Sequence, residues 1–143
     1  AGRGPDEAYL HEKLNMWPER VSFIQYTADQ SLSIHKDKHI AVVPTIGSEG
    51  TSLSLLEAMS AQCAVVCTDV GGMTNIVLDD YNGKMVEAGN PNQLFVAIKE
   101  LIEDNDHRIF LAERGFDTVK NAFSYEKWAQ KWMKVLRDIQ NEK

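Results

Sequence analysis

Glu49 and Glu57 stand eight positions apart in Ser48-Glu49-Gly50-Thr51-Ser52-Leu53-Ser54-Leu55-Leu56-Glu57-Ala58-Met59. An ionised carboxylate only accepts hydrogen bonds and can take two from a vicinal diol, so a pair of acids suits a hydroxylated ligand. Gly50 to Ser52 is small and polar, the composition of a loop entering a helix, and Ser54 to Ala61 reads as that helix. Glu49 then precedes the helix and Glu57 lies inside it. A helix N-terminus offers unpaired N–H groups and partial positive charge, so the backbone of Thr51, Ser52 and Leu53 could hold a diphosphate between the acids. A nucleotide sugar has that layout: hydroxyl-rich ends and an anionic middle. The bland alternative is two glutamates that complement a helix dipole. Another is a glycoside hydrolase with Glu49 and Glu57 as acid and nucleophile. Carboxylates beside helix N–H donors suit hydroxyl recognition better than proton donation.

These residues need a parallel sheet to position them, and apolar runs alternating with amphipathic stretches predict one. Val21 to Tyr26 reads as a short strand, Asp29 to Lys36 as a connecting helix, and His39 to Pro44 as a strand stopped by proline. Ala64 to Thr68 reads as the next strand, followed by Gly71-Gly72, which is either a plain tight turn or a close approach of backbone to ligand. Leu55, Leu56, Met59 and Cys63 form the predicted buried side of the Glu57 helix, leaving Glu57 to face a cleft. Leu94, Phe95, Ile98, Leu101 and Ile102 recur at helical spacing and are expected to cover one sheet face. Arg108 to Val119 predicts another helix. Ser124 caps a last one, over 124–140, whose stripe of Trp128, Trp132, Val135, Leu136 and Ile139 is core or packs on a partner domain. The loops after Tyr26, Pro44 and Thr68 should share the carboxyl edge of the sheet, where ligands of open α/β folds bind.

Composition narrows the classes. With 143 residues, 43% hydrophobic and 25% charged, the chain reads as one soluble domain able to bury a core. A net charge of −6 argues against a general nucleic-acid binder. Lys120, Lys127, Lys131, Lys134 and Arg137 are interleaved with acids, which reads as a solvated face and leaves room for weak contact with a membrane surface. Cys63 and Cys67 suit buried thiols. His11, His35, His39 and His107 have no zinc spacing, so no metal is expected. No spanning apolar run or signal peptide is evident, which makes a cytoplasmic location the default.

The order of these stretches resembles the donor-binding domain of retaining GT-B glycosyltransferases, a family that includes sucrose synthases and many bacterial polysaccharide enzymes. The resemblance runs from Ala1-Gly2-Arg3-Gly4-Pro5, similar to a Gly-x-Gly-Pro turn ending an earlier strand, through Ala41-Val42-Val43-Pro44, the Glu49 to Met59 stretch and Ala64 to Gly72. It continues over Tyr81-Asn82-Gly83-Lys84-Met85-Val86, the helix Pro91 to Ile102 and Phe123-Ser124-Tyr125-Glu126. The likeness implies a Rossmann-like α/β fold, a C-terminal half apparently truncated at its N-terminus, and transfer of a sugar from a UDP- or GDP-linked donor to a glycan or glycolipid without metal.

By that resemblance Glu49 is the catalytic acid near the transferred sugar and Glu57 holds the ribose hydroxyls. Gly50, Thr51, Ser52 and Leu53 hold phosphates and sugar, Tyr26 falls near the base, and Gly71 and Gly72 line the donor. An exposed Tyr26 could stack on the base, but a tyrosine ending a strand is more often just half-buried. Cys63, Ala64 and Thr74-Asn75 depart from the family's Gly, Pro and Pro-Glu, which bears on donor identity. The resemblance also implies an acceptor domain and a basic Arg–Lys pair that this chain lacks, with Arg3 expected to serve the surface instead. The chain alone would then be inactive, a nucleotide-sugar-binding or assembly module, and prone to self-association through an open sheet edge.

Overall fold

The computed structural model describes residues 4–141, so Arg3 and the start of the Gly-x-Gly-Pro turn lie outside the described residues. The chain divides into two compact units, Ala1–Ile34 and His35–Lys143. In the first, α1 (Glu7–Leu14) has no buried residue, and a 3-10 turn (Ala28–Gln30) leads into α2 (Ser31–His35). The strand expected over Val21–Tyr26 does not form: residues 21–27 carry no regular structure. A β-branched and aromatic run supplies the side chains of a strand but not a ladder partner, and without one there is no strand. The Val21 N–H instead donates to the Trp17 carbonyl at 3.1 Å.

The second unit holds a parallel sheet of three strands in the order β1 (Ile40–Val43), β2 (Ala64–Thr68), β3 (Lys84–Val86). Ile40 pairs with Ala64, and Val66 with Lys84. Strand β2 is central and buried at every position, as its unbroken apolar run requires of a strand covered on both faces. Its alternation sorts the core into two layers. Val65 and Cys67 pack with Leu55, Ala58 and Met59 of α3 (Leu53–Ser60). Ala64 and Val66 face Ala97 and Leu101 of α4 (Pro91–Glu103) and Leu111 and Ala112 of α5 (Asn105–Thr118).

Local chemistry sets the ends of these elements. The Asn90 side chain accepts the Gln93 N–H at 3.1 Å with Pro91 at the first helical position, and Asp104 ends α4 while capping α5 through the His107 N–H at 2.9 Å. Buried Asn82 ties the turn before β3 to α5: its amide donates to the Ile76 carbonyl and the Thr118 hydroxyl, each at 3.0 Å, and its oxygen accepts the Leu78 N–H at 2.8 Å.

Two apolar assignments are corrected. Leu94, Ile98 and Leu101 reach the sheet together with Ala97, whereas Phe95 and Ile102 are 65% and 62% exposed. Each follows a stripe position by one residue, which turns it about 100° out of the 94/97/98/101 line. The stripe on α6 (Tyr125–Asn141) is not core: its five residues range from 47% exposed at Val135 to 56% at Trp128. The main packing partner of α6 among the described residues is the π turn Val119–Phe123 that precedes it, and the stripe stays about half exposed.

Candidate functional site

Proline at position 44, with no N–H to donate, ends β1, and the chain then loops from Thr45 to Ser52 along the carboxyl edge of the sheet before α3 begins. The second wall of this edge is the 3-10 turn Gly71–Asn75 that follows β2. The two walls touch through backbone. The Gly72 N–H donates to the Glu49 carbonyl at 3.1 Å. A Cβ on Gly71 would fall on that same carbonyl oxygen, and one on Gly72 would fall on the carbonyl of Gly50. Gly71 also sits at φ +52°, where a side chain is strained. The glycine pair is therefore the surface against which the acidic loop is seated.

Glu49, Gly50, Thr51, Gly71 and Gly72 are thus brought together beyond the ends of β1 and β2, Ser52 and Leu53 follow into the start of α3, and Glu57 lies in the second turn of that helix. Glu49 and Glu57 are both half-buried, and Gly50, Thr51 and Leu53 are exposed. Ser52 departs from its outward neighbours at 2% exposed, its hydroxyl 3.2 Å from that of Ser54. Ser52 precedes α3 as N-cap, yet its side chain makes no cap bond, so the first N–H groups of the helix stay without an intrahelical acceptor. Glu49 accepts one side-chain hydrogen bond, from the Thr45 hydroxyl to Oε2 at 3.4 Å. Glu57 makes no side-chain hydrogen bond or ion pair among those of the described residues. Tyr26 lies in the other unit, half-buried in irregular chain.

Neither acid lines any of three hollows elsewhere on the unit. One, of about 730 Å³, runs beside Phe95, Glu100 and Asp106; another, of about 170 Å³, lies between Pro44, Thr68 and Leu94; the third, of about 370 Å³, lies beside Met85 and Gln93. The site is an open rim. Asp80, Glu100 and His107 bring three groups of metal-binding type within 4.8 Å of one another. The ammonium of Lys84, however, lies 2.9 Å from Asp80 and 3.1 Å from Glu100 and already serves as their cation. His107 joins them, 3.2 Å from Asp80 and 3.4 Å from Glu100.

Both cysteines are free and buried, as expected. Burial, with Asp79 and Asp69 adding to it, pushes the Cys67 thiol up to about 12, which removes it as a nucleophile. Sequence reading passed over Thr45 and Thr68, since a threonine beside a proline or closing a strand carries no signal of its own.

No helix among the described residues is long and apolar enough to cross a membrane. Residues 1–104 match the family described as glycosyl transferases group 1. An uncharacterized glycosyltransferase of Methanocaldococcus jannaschii is 37% identical over 111 residues, 78% of this chain and 31% of its own length. Among solved structures, the C-terminal domain of a group 1 glycosyl transferase from Francisella tularensis superposes with a TM-score of 0.75 at 29% identity, covering 85% of this chain and 66% of that one. The Anabaena HepE protein, solved in complex with UDP, superposes at 0.84 over 92% of this chain and 36% of its own, at 21% identity. The chain spans about a third of the curated relative from Methanocaldococcus. With the parallel sheet, its flanking helices and the family match over most of its length, the chain belongs to the glycosyl transferases group 1 family and has the fold of the C-terminal domain of GT-B glycosyltransferases.

Proposed function

We propose that this chain is the donor-binding domain of a retaining glycosyltransferase that moves a sugar from a UDP- or GDP-linked donor to a glycan or glycolipid acceptor. The observation that carries the reading is the seating of Glu49 and Gly50 on Gly71-Gly72, which sets an acid beside the uncapped N-terminus of α3. On this reading the N–H groups of Gly50 to Leu53 take the diphosphate, Glu57 accepts from the ribose and Glu49 faces the transferred sugar. Stabilising the departing diphosphate is the main catalytic work, and donors already aimed at it do so without metal. The HepE structures with UDP and with UDP-glucose are of the same fold and hold this ligand class. The acceptor would be bound by a further domain, so this chain alone would bind the donor without turning it over.

The test is calorimetric titration with UDP, GDP, ADP and their sugars, with no metal added. Saturable binding that Glu57→Gln weakens by about 1–3 kcal/mol supports the ribose role. Unchanged affinity in that variant sinks it, and no binding to any nucleotide sinks the donor reading for this chain.

A further inference from the structure

We propose that Thr45 and Thr68 are positioning residues that set the Glu49 carboxylate by a two-step relay, in which the Thr68 hydroxyl holds the Thr45 backbone and the Thr45 hydroxyl bonds the acid. The proposal rests on the donor-site reading above. Thr68 is the last residue of β2 and 3% exposed. The four residues before it are apolar, and a valine would fill its place equally well. A buried hydroxyl costs stability unless it is bonded, so its partner is what it serves. That partner is the Thr45 carbonyl, at 2.5 Å. The Thr45 hydroxyl in turn donates to Glu49 Oε2 at 3.4 Å.

The loop carrying Glu49 is thereby fastened twice, at Thr45 by the Thr68 hydroxyl that ends β2 and at Glu49 by the Gly72 N–H of the turn after it. Both fastenings hold backbone. The carboxylate itself is reached by the Thr45 hydroxyl, which engages one oxygen and leaves Oε1 for a ligand hydroxyl. A long acidic side chain on a half-exposed rim otherwise samples several rotamers, and small misplacements of a reacting group are expensive in binding selectivity and rate.

The experiment compares the wild-type chain with Thr45→Val, Thr45→Ser and Thr68→Val. Dissociation constants are measured for UDP against UDP-glucose and GDP against GDP-mannose, alongside the ¹³C signal of the Glu49 carboxyl. The relay requires Thr45→Val to move that signal and to weaken the sugar nucleotide roughly tenfold while the free nucleotide keeps its affinity. Thr45→Ser restores both, and Thr68→Val acts in the same direction. An unmoved signal with an unchanged ratio of the two affinities overturns the proposal. So does equal weakening of nucleotide and sugar nucleotide with a fallen melting temperature, which marks a merely structural threonine. If the wild type binds no nucleotide, the donor reading fails by itself, and the carboxyl signal alone decides the relay: moved by Thr45→Val it stands, unmoved it falls.

Discussion

Helices α3 and α6 both carry an apolar stripe at helical spacing, and the unit treats them in opposite ways. Leu55, Ala58 and Met59 of α3 are fully buried against β2, whereas Trp128, Trp132 and Leu136 of α6 stay about half exposed. Burying one such side chain stabilises by about 1.5–3 kcal/mol, a gain α3 collects within this unit and α6 collects only in part. The difference follows from connection. As the crossover between β1 and β2, α3 is bound to lie on the sheet, while α6 follows β3 by two helices and a π turn and connects no two strands among the described residues. An apolar stripe therefore specifies that a face wants cover, while the topology specifies whether the same unit supplies it.

That contrast can be broken most directly by truncation. Met59→Ala should cost about 2–5 kcal/mol in urea denaturation, because the cavity it leaves is walled by β2 and α5 and collapses poorly. A smaller loss would mean that the α3 layer repacks. Gly71→Ala comes next, at about 1–3 kcal/mol, since a side chain at φ +52° is strained and its Cβ meets the Glu49 carbonyl. It should also lose nucleotide binding, which Met59→Ala need not do, and retained binding would separate the glycine from the site. Trp132→Ala should cost about 0.5 kcal/mol or less in this chain. A loss of several kcal/mol there would show that α6 is covered after all.

A comparably small effect is expected in the Asp80–Lys84–Glu100–His107 cluster, where an exposed Asp80 is tied to the largely buried side chains of Lys84 and His107. The hydrogen bond from Lys84 holds the Asp80 carboxyl below its ordinary range. A carboxylate with a lowered folded value stabilises above its unfolded value and loses that contribution as pH falls through the folded one. Asp80 is exposed, so Asp80→Asn should cost under about 1 kcal/mol at pH 7. The gap between variant and wild type should close below about pH 4. A gap that widened with acid would reverse the sign of the argument.

Much of the fold was legible because each signal was local. Pro44 stopped β1, the unbroken apolar run from Ala64 marked a strand covered on both faces, and the alternation of runs marked a parallel sheet. Val21–Tyr26 failed because its evidence was side-chain type alone and a strand is a property of two segments. In the site, the spacing of Glu49 and Glu57 around a helix start was readable, but the reason for two successive glycines was not. Gly71-Gly72 fits either a tight turn or a ligand, and only the folded chain places the Glu49 and Gly50 carbonyls where their Cβ atoms would be.

What the sequence determined by itself is therefore the strands and helices of the sheet-bearing unit, the family, and the acids placed around a helix start, since all three are written in residue type and near-neighbour spacing. What only the tertiary structure decided is which faces find cover and what holds Glu49. Those depend on segments distant in the chain meeting at one edge, and Thr68 lies twenty-three positions from the carbonyl it grips.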